Sequence, residues 1–297
     1  MLGAYRPRFV VFFLMFVLEL MGIPAFAQVD LSGQWGQKMH EDEQERSPGP
    51  EIGDYTGMPV TDAARMRADT WDAQTLEMVE RECQPHPADY GSRGFGDMRI
   101  WSDVDPFTQG TFAWHITLRH MVAQRKIYMD GRPHPSDNAP HTWQGFSTGE
   151  WEGDMLKVTT THLKEGWLRR NGLARSDKAV LIEYFIRHGD FFTIVTDVED
   201  PVYLTEPSIL TSNWILDPGR YIVPNVCIPS VEVPHPEGYV AYHLPGENPW
   251  LTEFASRWTI PVEAARGGAE TMYPEYQEKL AKMSSPPKLP ANTTRKQ

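Results

Sequence analysis

The sequence predicts a mainly β fold: an antiparallel β barrel with an N-terminal helix and a Pro-rich C-terminal wrap. Three observations carry this. From about Thr111 the apolar residues recur with a period of two. Successive runs of this kind are joined by short turns containing Gly, the signal for hairpins. No strand–helix–strand alternation occurs, so a parallel sheet is not expected.

The elements follow in chain order. Arg6 and Arg8 precede an almost wholly apolar run, Phe9 to Ile23, that Pro24 breaks. Ala25-Phe26-Ala27 then supplies small residues at the positions a signal peptidase reads, so residues 1–27 read as a cleavable secretory signal that leaves Gln28 first. A retained anchor is disfavoured by Glu19 and by a run near the lower limit of about 20 residues for a span. Residues 28–283 are expected as one domain and 284–297 as a polar tail. No second apolar run is long enough to cross a bilayer, which implies no stable membrane insertion after cleavage. The expected location is periplasmic or secreted.

Asp30 to Trp35 is a short β-like entry, and residues 40–57, charged and then rich in Gly and Pro, read as a loop. Pro59 to Glu82 is the helix candidate, with Thr61 as its cap and Pro85 and Pro87 beyond its end. Phe112–Leu118 and Arg125–Met129 are strands. Gly149–Trp151 and Met155–Thr160 form a hairpin around Gly153. Val180–Arg187 and Phe191–Val198 form a second one around Gly189, and Tyr203–Leu216 is expected to hold a further strand or two. Beyond Asp217, prolines such as Pro224, Pro229 and Pro234 forbid a continuous ladder, leaving an irregular wrap. A short helix is expected near Tyr273–Met283.

Charge and cysteines narrow the partners. The chain carries a net charge of −12, and loss of two Arg and one Glu with the signal takes it to −13. Such a surface is repelled by phosphate backbones, so nucleic acid is not an expected partner. Cys83 and Cys227 are the two cysteines, and in an exported chain they suggest a disulfide, with two buried thiols as the alternative.

Several patterns bear on chemistry. Gly145-Phe146-Ser147-Thr148-Gly149 has the G-x-S-x-G form of a nucleophile elbow. That motif needs a strand turning into a helix, whereas here a hairpin follows, so the glycines read as loop geometry. No H-x-H or H-E-x-x-H occurs among the ten histidines. A metal gathered from distant histidines, as in a metal-dependent hydrolase, stays open but is not favoured, and no cofactor is expected. Along Val180–Arg187 one face carries Val180, Ile182, Tyr184 and Ile186; the other carries Leu181, Glu183, Phe185 and Arg187. The default reading turns Glu183 and Arg187 to solvent; the alternative puts them in a pocket. Leu156, Val158, Thr160 and His162 share a face, which places His162 near a barrel mouth. Trp167 and Arg169-Arg170 follow beside the Asn171-Gly172 turn, a local reversal of sign suited to an anionic group, or a balanced loop tip. Ten Trp and eleven Tyr are many for this length; most are expected as core or barrel plugs, and the surplus also suits an aromatic-lined pocket.

Two stretches resemble a family of exported bacterial proteins of uncharacterised function. They are Arg125-Lys126-Ile127-Tyr128-Met129-Asp130-Gly131-Arg132-Pro133-His134-Pro135 and Gly145 to Leu156, the latter containing Trp151-Glu152-Gly153-Asp154. Glu183 and Glu199-Asp200-Pro201 add to the resemblance, which covers about residues 30–230; Tyr184 stands where the family has Arg. Gly33-Gln34-Trp35 resembles the G-x-W that opens a lipocalin barrel, which makes the expected fold lipocalin-like and implies a small ligand in its mouth or lumen.

The expected function is an exported barrel that binds a small apolar or aromatic molecule, with cofactor-free acid–base chemistry of lyase, hydratase or isomerase type as its extension. His162, Glu183, His115, Tyr128 and Asp130 are the candidate acid–base groups. Arg169, Arg170, Trp167, Arg187 and Trp151 are the candidate substrate-binding residues. A carrier without catalysis is the alternative. The sequence does not specify an oligomeric state.

Overall fold

The computed structural model describes residues 29–38, 51–72, 82–93, 96–223, 226–229, 236–239 and 242–285. The signal segment, residues 40–50, the second half of the expected N-terminal helix (73–81) and the tail beyond 285 lie outside the described residues. The chain divides into two units, Met1–Asp30 and Leu31–Gln297, and the second holds every element that follows.

Nine strands close into a barrel: β1 (Gly33–Gln37), β2 (Met98–Val104), β3 (Thr111–Leu118), β4 (Ala123–Tyr128), β5 (Phe146–Glu152), β6 (Met155–Thr161), β9 (Val180–His188), β10 (Phe191–Glu199) and β11 (Ser208–Leu216). β7 (Gly166–Trp167) and β8 (Ala174–Arg175) form a separate two-stranded ribbon. Around the barrel the order is β1-β11-β10-β9-β6-β5-β4-β3-β2. This is the mainly β, mostly antiparallel barrel that the two-residue period predicts, consistent with a lipocalin-like fold. Closure removes the free edges that an open sheet would expose. Both expected hairpins form, and Trp35 of the opening Gly-Gln-Trp is fully buried.

One seam departs from the up-and-down pattern. β4 and β5 run parallel and pair only at Ile127↔Ser147 and Tyr128↔Thr148. The Met129–Gly145 connection crosses outside the barrel to bring β5 in. Gly145 ends it with φ +64, and a Cβ there would sit 2.5 Å from the Thr161 carbonyl oxygen, so only glycine fits the turn.

The lumen is filled by side chains. At one end Trp35, Phe185, Phe192 and Trp214 form an aromatic plug, with Trp35 and Phe192 centroids 5.0 Å apart. Fully burying each such side chain stabilises the fold by about 1.5–3 kcal/mol. The other end is closed by a cap. Here α1 (Asp62–Asp69) and α2 (Ala88–Gly91) bring Ala64, Ala68 and Ala88 into one apolar cluster with Leu168, Leu181 and Val198. Thr61 caps α1 as expected, its hydroxyl accepting from the Ala64 amide at 3.2 Å. The C-terminal segment, with α3 (Glu253–Trp258), α4 (Val262–Ala265) and α5 (Glu275–Leu280), wraps over this cap. Asn248 Nδ2 donates to the Asp69 and Trp71 carbonyls, and the Tyr55 amide donates to the Ala265 carbonyl at 2.9 Å. Cys83 and Cys227 are joined in a disulfide across 144 residues.

One expectation needs correction. The face of β9 that carries Glu183 points inward: Leu181, Glu183 and Phe185 are buried, while Val180, Ile182, Tyr184 and Ile186 are half-exposed. A partner for Glu183 inside the barrel explains this, as described below. A void of about 10 Å³ remains beside Arg125, Phe185 and Ala88, about enough for one water-sized group.

Candidate functional site

Inside the barrel, one polar layer separates the aromatic plug from the cap. Arg125 of β4 meets Glu183 of β9 at 2.5 Å, and their side chains are 5 % and 0 % exposed. Arg125 Nε donates to Ser147 Oγ at 3.0 Å, its Nη2 donates to Thr160 Oγ1 at 2.6 Å, and the two hydroxyls lie 2.8 Å apart. Neither carboxylate oxygen of Glu183 has a hydrogen bond of good geometry among the described residues. The ion pair therefore rests on proximity and charge rather than on aligned donors. Ser147, the would-be nucleophile, is buried on strand β5 and committed to this layer, with no elbow around it.

Outside, the short β4–β5 seam leaves an open groove of about 430 Å³. This lies within the range of ligand sites, about 300–1,000 Å³. Tyr128, Phe146, Trp143 and Pro85 give it apolar walls; Lys126 and Gln144 supply polar groups. Tyr128 and Phe146 stack with centroids 5.4 Å apart. A larger depression of about 520 Å³, between Pro261–Glu263 and Lys282–Ser285, has no aromatic ring in its wall.

The rim of the groove carries a hydrogen-bonded histidine chain. The His134 ring packs edge-on to Phe146 at 5.3 Å. Its Nε2 lies 2.8 Å from Thr148 Oγ1 and its Nδ1 2.7 Å from Thr161 Oγ1. Thr161 Oγ1 is also 2.7 Å from His162 Nδ1, and His162 Nε2 is 2.9 Å from the Ser136 carbonyl oxygen. A carbonyl only accepts, so His162 Nε2 carries a proton. In the neutral pair the remaining roles follow in sequence. The Thr161 hydroxyl donates to His162, His134 Nδ1 donates to Thr161, and the Thr148 hydroxyl donates to His134 Nε2. The pair pins the Met129–Gly145 connection to the ends of β5 and β6. His162 itself has φ +58, which breaks the strand alternation; its ring turns to this connection instead of following Thr160 into the lumen.

Burial lowers the pKa of His134 from its ordinary 6.5, and the charge of a protonated His162 lowers it further. The unfolded chain thus takes up this proton at a higher pH than the folded one. The stabilisation is complete above about pH 6.5 and is lost as the pH falls toward the lowered value. The melting temperature is expected to drop between pH 7.5 and pH 5 more steeply for the native protein than for His134→Gln. Parallel melting curves of the two across that range would exclude the linkage.

Chain-wide comparison adds no identity: no family model, curated protein or solved structure matches.

The candidate residues named from sequence do not converge on one point. Glu183 is luminal. His115, Tyr128 and Asp130 lie on or beside the outer face of β3 and β4. There His115 stacks on Trp101 at 5.0 Å and its Nε2 lies 2.7 Å from Asp103 Oδ2. Its hydrogen bond, with that of Lys126, holds the Asp103 carboxyl below the usual range. Asp130 is paired with Arg132, whose hydrogen bonds lower its pKa to about 2. Trp167 packs on Trp71 at 5.6 Å beneath the C-terminal wrap. Arg169 borders a separate cavity of about 40 Å³ with Asp89 and Arg93, while Arg170 is half-buried nearby. Arg187 lies over the Trp35 ring at 5.3 Å and donates to the Gly189 carbonyl, so it does not pair with Glu183. Trp151 faces the lumen side of β5, its Nε1 buried without a hydrogen bond among the described residues. No group of three or more His, Cys, Asp or Glu among the described residues is placed to hold a metal ion.

Phe146, Trp143, Gln144, Arg125 and His134 were not singled out by sequence reasoning as site residues. His134 precedes a proline, the setting of a loop residue that bonds backbone, and here it bonds two threonine side chains. Its place in the Arg125–Pro135 stretch was the available signal.

Proposed function

We propose that the protein is an exported barrel that binds a small apolar or aromatic molecule in the groove over the β4–β5 seam. The observation that carries the reading is the groove: ligand-sized, walled by the Tyr128–Phe146 stack and Trp143, and edged by a few polar groups. The disulfide and the motif resemblance to exported bacterial proteins support a periplasmic or secreted setting. Among the described residues no helix is long and apolar enough to cross a membrane.

A thermal-shift screen with small aromatic molecules tests this. Binding to the native state alone raises the melting temperature by mass action, about 2.7 kcal/mol of stabilisation at a hundredfold excess over Kd. The shift is expected in the native protein and not in Phe146→Ala or Trp143→Ala. A shift that survives both substitutions would move the ligand elsewhere.

A second reading adds acid–base chemistry at the groove. The His134–Thr161–His162 chain favours it, since it joins two imidazoles through one hydroxyl beside Phe146. Conversion of a bound compound that is lost in His162→Ala would establish it, and unchanged turnover in that variant would remove it.

A further inference from the structure

We infer that the groove selects aromatic carboxylates, with the ring against the Tyr128–Phe146 stack and the carboxylate on the Lys126 ammonium. The inference rests on the groove reading above and adds the charge of the guest.

The groove reverses the sign of the chain that carries it. The protein has a net charge of −12. Among the described residues that line the groove there is no Asp or Glu, and Lys126 is the charged group. Lys126 and Tyr128 stand two apart on β4 and share its outer face. Lys126 Nζ lies 5.4 Å from the Tyr128 ring centroid, and its side chain is 35 % exposed. A further ring packs against an aromatic pair at centroid distances of about 4.5–7 Å. The ammonium therefore stands beside the place such a ring takes, within reach of a carboxylate attached to it. An ammonium has three donors. Asp103 accepts from Lys126 at 3.2 Å and is also held by His115 at 2.7 Å, so it shares its charge between two groups. Lys126 keeps donors for a guest.

The neighbours of the groove act against a cationic guest. The face of an aromatic ring attracts cations, and here the protein supplies them itself. The Arg132 guanidinium lies 3.8 Å from the Tyr128 centroid, and Lys164 Nζ lies 5.0 Å from the Trp143 centroid. Arg132 is compensated by Asp130, whereas exposed Lys164 has no ion pair among the described residues. A cation entering the groove meets Lys126 and Lys164 at short range. The acidic surface elsewhere acts through solvent, and salt screens it beyond about 8–10 Å. The near cations thus decide the sign, and the rings decide the shape.

Calorimetric binding of benzoate, benzyl alcohol and benzylammonium to the intact protein tests this. At low salt benzoate is expected to bind about tenfold more tightly than benzyl alcohol, the worth of one charge-assisted hydrogen bond at a partly exposed site. Benzylammonium is expected to bind most weakly. The advantage of benzoate should narrow as salt is raised, because the groove is open to solvent. Lys126→Gln should remove most of that advantage by weakening benzoate more than the alcohol, and Lys126→Arg should keep it. Benzoate no tighter than benzyl alcohol, benzylammonium the tightest, or an advantage that survives Lys126→Gln would overturn the selection of anions, while binding of the alcohol upholds the groove. Failure of all three to bind would overturn both.

Discussion

Arg125→Met is expected to destabilise the protein by about 3–5 kcal/mol, the cost of leaving one member of a buried ion pair alone. Glu183 has no exposed surface and no hydrogen bond of good geometry among the described residues, so removal of the guanidinium leaves a carboxylate with neither solvent nor donor. The substitution also strips the donors that Ser147 and Thr160 receive. The double variant Arg125→Met with Glu183→Leu should regain most of the loss, because apolar groups of similar volume replace both charges. Urea denaturation of the native protein, the single variant and the double variant reads this as a midpoint shift and its recovery. A single variant within about 1 kcal/mol of native would show that the pair is not desolvated as the structure has it.

That ion pair also explains which parts of the molecule were legible. The hairpins β5–β6 and β9–β10 were, because each carries a strict two-residue period around a Gly turn, and hairpin pairing is local. The inward face of β9 was misread because Val180, Ile182, Tyr184 and Ile186 form the more apolar set. Only a residue distant in sequence, Arg125, makes the other face suitable for burial. β2 escaped notice although Met98 and Ile100 alternate with Arg99 and Trp101; Ser102 and Asp103 break the apolar set before Pro106 ends it. The parallel β4–β5 seam follows from the path of the Met129–Gly145 connection, which no hairpin rule encodes. The groove inherits this. Tyr128 was named for its chemistry, but its stacking partner Phe146 and the groove residue Gln144 come from the next strand and the loop before it. Their adjacency is a product of the seam.

Loss of the Cys83–Cys227 bridge is expected to cost about 2–5 kcal/mol, and the chain-entropy model puts a closed loop of this size near the upper end. The structural context argues in the same direction. Cys227 lies in a segment whose described apolar residues Tyr221, Val223, Val226 and Ile228 are largely exposed, so core burial contributes little to holding it. Cys83 lies just before Pro85 and α2, where Ala88 and Tyr90 are buried within the cap. The bond therefore ties a weakly packed excursion to the element that closes one end of the barrel. Reduction should release that excursion first and loosen α2 next, leaving the hairpins β5–β6 and β9–β10 intact until global unfolding. Hydrogen exchange with and without reductant reads the order directly, and the double variant Cys83→Ser with Cys227→Ser controls for effects of the reductant. Equal denaturation midpoints for the oxidised and reduced protein would mean that the cap holds without the bridge, and the entropic argument would fail with it.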